Sequence, residues 1–492
     1  MLSAKSVDGI KLNSSCCKII SMIYYVVLLI LIRSNAGVSV SREGREEIKY
    51  LRRLKDWIDL GREFDILDLF ASLHPADIAE LIDNLEEEEK FHLFSLLDVE
   101  KASDVILELN DISREQILED MSEEKLTEII DEMDSDDAAD VIAELTEDKA
   151  QAVLKAIEPE ESEDVQKLLR YDEESAGGIM QSELVSVPDD ATIRDGLQAV
   201  ADASEEVEHI YNIFVVDKQN RLIGSVPLQN LITTKRTSPV IEAIDKDIPS
   251  AHVDIDQEEV ARMFEKYDLV SLPVVDYKNE LLGRITVDDV VDVMEEESSE
   301  DLYRIAGLGE DDNIFNTPVD SVKKRLPWLY INLVTALASA VVIGFFEDTI
   351  KMMVVLAAFM PVVAGLGGNA GSQTLTLIVR GLALGEITFE NSKKALYRQI
   401  SVGIANGLAV GIVIGTIAYF WKGIPVLGLV LGLAMIINIF VGTLVGTLIP
   451  LSLKWLRADP ALGSHIFLTA FTDAFGFLSF LGLATICLKF LT

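Results

Sequence analysis

The spacing of apolar positions changes character twice along the chain, and it divides the sequence before any motif is read. From residue 46 to about 172 apolar residues recur at intervals of three and four, as in "DIAELIDNLEEEEKFHLFSLL", the signature of amphipathic helices. Short phrases repeat: "ASDVILEL" at 102–109 returns as "AADVIAEL" at 138–145, with "PADIAELI" at 75–82 a looser copy. Such echoes predict stacked pairs of short helices, a small superhelix. Residues 176–297 switch to buried-strand runs. "FVVDKQNRLIGSVPLQNLI" begins at Phe214 and "PVVDYKNELLGRITVDDVV" at Pro273. Each copy has a strand, an Asp-led turn, a second strand and a helix, preceded by an amphipathic helix such as "DQEEVARMFEKYD".

After Pro327 the chain turns apolar, and five spans are expected at about 327–346, 352–377, 399–420, 424–450 and 464–488. Each reaches the roughly 20 residues needed to cross the hydrocarbon. Basic residues sit in alternate connections: Lys323, Lys324 and Arg325, then Arg380, Lys393, Lys394 and Arg398, then Lys454 and Arg457. The positive-inside rule therefore predicts a multi-pass protein with residues before 323 in the cytoplasm and the C-terminus outside. The apolar run at 19–32, between Lys18 and Arg33, is short for a span. Three readings of it stay open: an over-extended translation start, an uncleaved membrane-surface segment, and a signal peptide with Ser34 and Ala36 near its cleavage site.

Charge sharpens the division. The formal net charge is −40, yet from Asp320 onward bases outnumber acids by 12 to 7, so the first 319 residues carry −45. That surface repels nucleic acid and suits cations. Three cysteines, Cys16, Cys17 and Cys487, form no CxxC pair, and five scattered histidines include no HExxH. No nucleophile–base or catalytic metal constellation is present, so an enzyme is not expected.

Two intramembrane features carry candidate chemistry. "VAGLGGNAGSQTLTLIVRG", residues 363–381, puts glycines, Asn369 and Gln373 inside an apolar span, although Gly costs about 1 kcal/mol relative to Ala in a helix. Pro361 lacks an N–H and disturbs the preceding turn. The expectation is a backbone opened at membrane depth, its carbonyls at Gly365, Gly367 and Gly368 facing a wet cavity. The competing reading is a small-residue packing seam. No Lys-Ser/Thr follows the glycines, which excludes a phosphate loop. Asp473 is the one acid deep in the five spans, and a lone carboxylate there should face water or a polar partner.

The duplicated segment resembles a tandem pair of CBS domains. With the rest of the chain, from about residue 46 to the end, it resembles the MgtE family of magnesium channels. The motif Pro361-x3-Gly365-x2-Gly368-Asn369-x-Gly371-x-Gln373, the Asp-Pro-Ala at 459–461 and Asp473 carry that likeness. It implies a multidomain membrane protein: an uncertain extension at 1–45, an acidic α-helical superhelical N-domain at 46–175, and α/β CBS domains at 176–236 and 237–297. A connecting plug helix at 298–322 follows, its acidic part beginning near 288, then a five-span α-helical transmembrane pore domain at 323–492.

The resemblance also implies a homodimer in the cytoplasmic membrane, binding no nucleic acid, that conducts Mg2+ passively and is closed by cytosolic Mg2+. Two copies of Asp473 would set −2 against +2, and magnesium, reluctant to lose water, would pass hydrated. Carried over, the ion path comprises Pro361, Gly365, Gly367, Gly368, Asn369, Gln373, His465 and Asp473. The regulatory Mg2+ residues are Asp136, Asp140, Asp256, Glu258, Asp268, Asp289, Asp292, Glu297, Glu300 and Asp301. Like charges about 4 Å apart repel by roughly 4 kcal/mol at an effective dielectric of 20, enough to bias a two-state switch that Mg2+ bridging closes. For ATP, Thr286-x2-Asp289 resembles a ribose contact, but Pro227-x2-Asn230 stands at the matching place in the first copy and weakens the pattern. A less selective carrier of divalent cations such as Co2+, and a membrane-anchored CBS sensor that conducts nothing, are the alternatives.

Overall fold

The computed structural model describes residues 42–491, apart from 205, 206, 208, 310, 311, 313, 315 and 316. The apolar run at 19–32 lies outside the described residues.

The N-terminal part is built from short helices, α1 (Arg42–Asp59) to α10 (Pro159–Leu168). It has a stricter period than its echoes suggest. His74, Asp98, Ser122 and Thr146 each occupy a helix N-cap, 24 residues apart. Three residues after the last three caps stand Lys101, Lys125 and Lys149, whose ammonium groups donate back to the carbonyls of Phe70, Ser95 and Glu119 at 2.6, 3.0 and 2.6 Å. Each repeat is thus tied to the one before it, while Ile78, Ile82, Val105, Ile106, Leu126 and Ile129 fill the interior between helices.

The second unit begins with the duplicated fold. In the first copy β1 (Ser186–Pro188) lies parallel to β2 (Asn212–Val216), which pairs antiparallel with β3 (Leu222–Pro227). Helix α11 (Ile193–Asp202) connects β1 to β2, and α12 (Leu228–Thr233) follows β3. The second copy repeats this with β4 (Ala251–His252), α13 (Gln257–Tyr267), β5 (Ser271–Val275) and β6 (Leu281–Thr286). Asn220 and Asn279 take the left-handed backbone that their Asp-led turns require, at φ 57° and 66°. They then bind the two copies reciprocally: Asn220 Nδ2 donates to Leu281 O at 3.0 Å and Asn279 Nδ2 to Leu222 O at 2.8 Å.

A continuous helix, α14 (Val287–Ala306), leaves β6 and stops at Gly307, whose φ of 74° suits a glycine cap. The single helix expected at 298–322 is therefore two. Its first part is the end of α14; its last part opens the next helix, α15 (Pro318–Gly344), where Thr317 caps the end and Pro318 takes the first turn. The first span accordingly starts nine residues before Pro327.

After the short α16 (Glu347–Met352) come α17 (Val355–Ala383), α18 (Ser392–Lys422), α19 (Pro425–Trp455) and α20 (Ser464–Ile486). With α15, these give five helices long and apolar enough to cross a membrane. Helix α19 is the most enclosed, and its Met435 and Ile439 pack in one cluster with Leu356, Phe359 and Phe480.

Candidate functional site

The glycine-rich stretch does not unwind. Helix α17 runs without interruption through Pro361, Gly365, Gly367 and Gly368, so the opened backbone expected there is absent. The glycines act through their missing side chains instead. A Cβ at Gly442 would stand 2.5 Å from Gly367 O, and one at Gly446 2.6 Å from Gly371 O. Gly367 and Gly371 on α17 thus face Gly442 and Gly446 on α19 in a close backbone-to-backbone seam. Gly367 is buried in it, which withdraws its carbonyl from an open path.

The other predicted residues fall on a different face. Pro361, Gly365, Asn369 and Gln373 recur every four residues and are all exposed, and a Cβ at Gly365 would meet nothing within 4 Å. Gly368, half-buried, looks across to α20, where Thr472 Oγ1 lies 3.9 Å from the position of its missing Cβ. The next residue in each helix is Asn369 and Asp473. Asp473 is half-buried, and its carboxylate has no hydrogen bond or ion pair with the described residues. His465, exposed, precedes Asp473 by eight residues, or about 12 Å of helix rise.

The acidic candidates gather mainly where α13 and α14 approach the ends of the apolar helices. Asp256 caps α13, its carboxylate accepting from Glu258 N at 2.9 Å. Glu258 pairs with Arg262 at 2.5 Å, and burial pushes its carboxyl up against that pairing. Glu297 accepts from Gln257 Nε2 at 2.9 Å; burial raises it first, then the charges of Glu258, Asp256 and Glu174. Asp301 is pushed up to about 6 by burial, then by Asp459 and Glu258. Glu300 pairs with Arg304, which also holds Asp459.

Further along the same elements, Asp289 rises to about 6 through burial, against the hydrogen bonds it accepts from Thr286 in a capping box. Asp292 is raised by loss of hydration and then by Glu295 and Asp288. Asp268 ends α13 in left-handed conformation at φ 52°. Asp136 and Asp140 lie one turn apart on α8 (Ser135–Glu144), the first buried and the second exposed. Among the described residues no three or more His, Cys, Asp or Glu side chains converge on a point that would hold a metal ion.

Sequence reasoning missed the cations that already serve this cluster. Arg262 Nε donates to Ala383 O at 2.9 Å, so helix α13 grips the last residue of α17. Lys454 reaches the neighbouring Leu382 O at 3.4 Å. The spacings Glu258-x3-Arg262 and Glu300-x3-Arg304 are the sequence signal that would have found both arginines.

The chain matches three domain families: "Divalent cation transporter" (MgtE) at residues 360–483, "MgtE intracellular N domain" at 73–174, and "CBS domain" at 176–236 and 240–296. It is 32% identical to the magnesium transporter MgtE of Enterococcus faecalis, over 91% of this chain and 99% of that one. It is 33% identical to the magnesium transporter MgtE of Thermus thermophilus, over 66% of this chain and 72% of that one. Among solved structures, the cytosolic domain of the Mg2+ channel MgtE in complex with ATP is 33% identical, covering 49% of this chain and 99% of that one with a TM-score of 0.47. With 32% identity along nearly the whole of a magnesium transporter, and all three domain types in order, the chain belongs to the MgtE family of magnesium transporters.

Proposed function

We propose that two copies of this chain form a passive Mg2+ channel in the cytoplasmic membrane, with the C-terminus outside and the acidic domains in the cytosol. The observation that carries the reading is the exposed row Pro361, Gly365, Asn369 and Gln373, on a helix whose Gly368 faces Thr472, the neighbour of a half-buried Asp473 that has no hydrogen bond or ion pair among the described residues. Amides and a carboxylate are costly against lipid, so this face belongs to water or to a second copy. Side-chain oxygens of Asn369, Gln373 and Asp473 accept from the waters of a hydrated ion, and paired Asp473 carboxylates offset its charge. Gly365 and Gly368 widen that face because nothing projects from them. His465 sits at its cytosolic end.

Gating follows from the acidic elements. Asp256, Glu258, Glu297, Glu300 and Asp301, with Asp268, Asp289 and Asp292, repel one another when ionised, and Asp136 and Asp140 add to the acidic charge of the N-domain. Cytosolic Mg2+ screens and bridges them, holding α14 where it blocks the path. Since no complete cation site lies within one set of described residues, the ions act across moving parts. The reading needs no nucleotide: Thr286 and Asp289 already engage each other.

Mg2+ flux into liposomes holding the full chain, with internal Mg2+ varied, tests both halves. Asp473→Ala should abolish flux; unchanged flux would favour a non-conducting sensor. Removing residues 46–301 should leave flux and remove inhibition by internal Mg2+. Equal Co2+ and Mg2+ flux would favour the broader divalent carrier.

A further inference from the structure

Helix α19 carries one amide in an otherwise apolar and glycine-rich interior, Asn438, and it is fully buried. Its Nδ2 donates to Val363 O of α17 at 2.8 Å. Its Oδ1 accepts from no protein group among the described residues. The amide fits between two glycines on two different helices. A Cβ at Gly476 of α20 would stand 2.6 Å from Asn438 Nδ2, and one at Gly367 of α17 would overlap that nitrogen.

An unsatisfied buried acceptor is unfavourable, and an apolar side chain of the same size avoids it. Stability therefore does not explain the amide; geometry does. Asn438, Gly442 and Gly446 are spaced every four residues and form one face against Val363, Gly367 and Gly371. A seam of glycines is smooth. Slid by one helical turn, about 5.4 Å, it would still set small residues against backbone. Asn438 breaks that degeneracy, because its side chain meets both a glycine seat and a carbonyl acceptor in one register only.

We propose that Asn438 is a positioning residue for ion passage: it fixes the register of α17 against α19 and α20, and so holds Asn369 and Gln373 in place relative to Asp473. A one-turn slip would carry those amides past the carboxylate and leave the fold otherwise intact. This rests on the path proposed above.

The test uses the full chain in liposomes, reading Mg2+ flux, the ratio of Mg2+ to Ca2+ flux, and the melting temperature. Asn438→Leu keeps size and removes the donor. Asn438→Ala keeps both glycine seats and covers the case in which the leucine does not fold. Each should lower Mg2+ flux by at least about tenfold, since a misplacement near 1 Å already costs on that scale. Each should also lower the Mg2+/Ca2+ ratio while melting near wild type. Gly446→Ala, in the same seam but away from Asn438, should lower the melting temperature, the mark of a packing defect that the Asn438 variants lack. If the folded Asn438 variants keep wild-type flux and ratio while Asp473→Ala is silent, the positioning role is wrong and the path stands. If Asp473→Ala conducts normally, the path itself is wrong.

Discussion

Arg304, in the last turn of α14, donates to Asp459 at 2.7 Å, and the same guanidinium pairs with Glu300 one turn back. Asp459 lies in the segment that leads into α20, the helix of Asp473. The connecting helix is therefore fastened to the segment that leads into α20 by an internal cation, at the edge of the acidic cluster proposed to sense Mg2+. Arg262 does the same for α17, through Ala383 O.

Loss of the Arg304 link should loosen the closed arrangement. A hydrogen bond between charged groups contributes about 1.5–3 kcal/mol, roughly a ten- to hundredfold change in an equilibrium. Arg304→Gln should therefore raise the internal Mg2+ needed for half-inhibition of flux by about tenfold, the low end, because both side chains are partly hydrated. An inhibition curve that does not move would place this pair outside the gate.

Acid should imitate Mg2+. Asp289 and Asp301 have their carboxyls raised from 3.8 to about 6 in the packed arrangement. A raised acid binds protons more readily in the packed form than in the separated one. The packed form therefore gains stability as pH falls from about 6 toward 4, and carries the full penalty of ionisation above about 6. Lowering internal pH from 7.5 to 5.5 should reduce the Mg2+ needed to close the channel. Asp301→Asn should respond less to acid than the wild type. A rise in the required Mg2+ on acidification would contradict the repulsion argument.

The glycines of α17 and α19 divide into two classes that substitution should separate. Gly446→Ala would put a Cβ 2.6 Å from Gly371 O, forcing the helices apart, whereas Gly365→Ala meets open space. The first should cost about 1–3 kcal/mol, seen as a lower melting temperature or loss of folded protein in detergent. The second should melt as wild type yet conduct less, because it narrows the face shared with Asn369. Equal melting of both variants would remove the seam from the structure's support.

Much of this was legible in sequence because periodicity and length report what faces lipid and core. The spans, the duplicated α/β copies and the helical repeats follow from that alone. The unwound backbone did not materialise at Gly365–Gly368. Propensities weigh each glycine by its own cost in water, whereas within apolar surroundings the helix keeps its hydrogen bonds and a neighbouring helix fills the space. Asn438 left a faint trace, a single amide in "LAMIINIFVG", but its meaning depends on Gly367 and Gly476, which lie on other helices. Arg262 and Arg304 were overshadowed by the acids around them. The break between α14 and α15 was hidden because its cause, the left-handed cap at Gly307, is a single residue in an otherwise helix-compatible run.

His465 offers a test of where the ion passes. It is exposed, about two turns before Asp473 on the same helix. A fixed positive charge there, about 12 Å from a dication beside Asp473, repels it by about 0.7 kcal/mol at the dielectric of water, roughly a threefold loss in occupancy. His465→Lys supplies that charge, and His465→Asn is the neutral polar control. Flux of His465→Lys relative to His465→Asn should be about threefold lower at the same pH and internal Mg2+. Equal flux would show that the ion does not pass close enough to residue 465 to feel its charge.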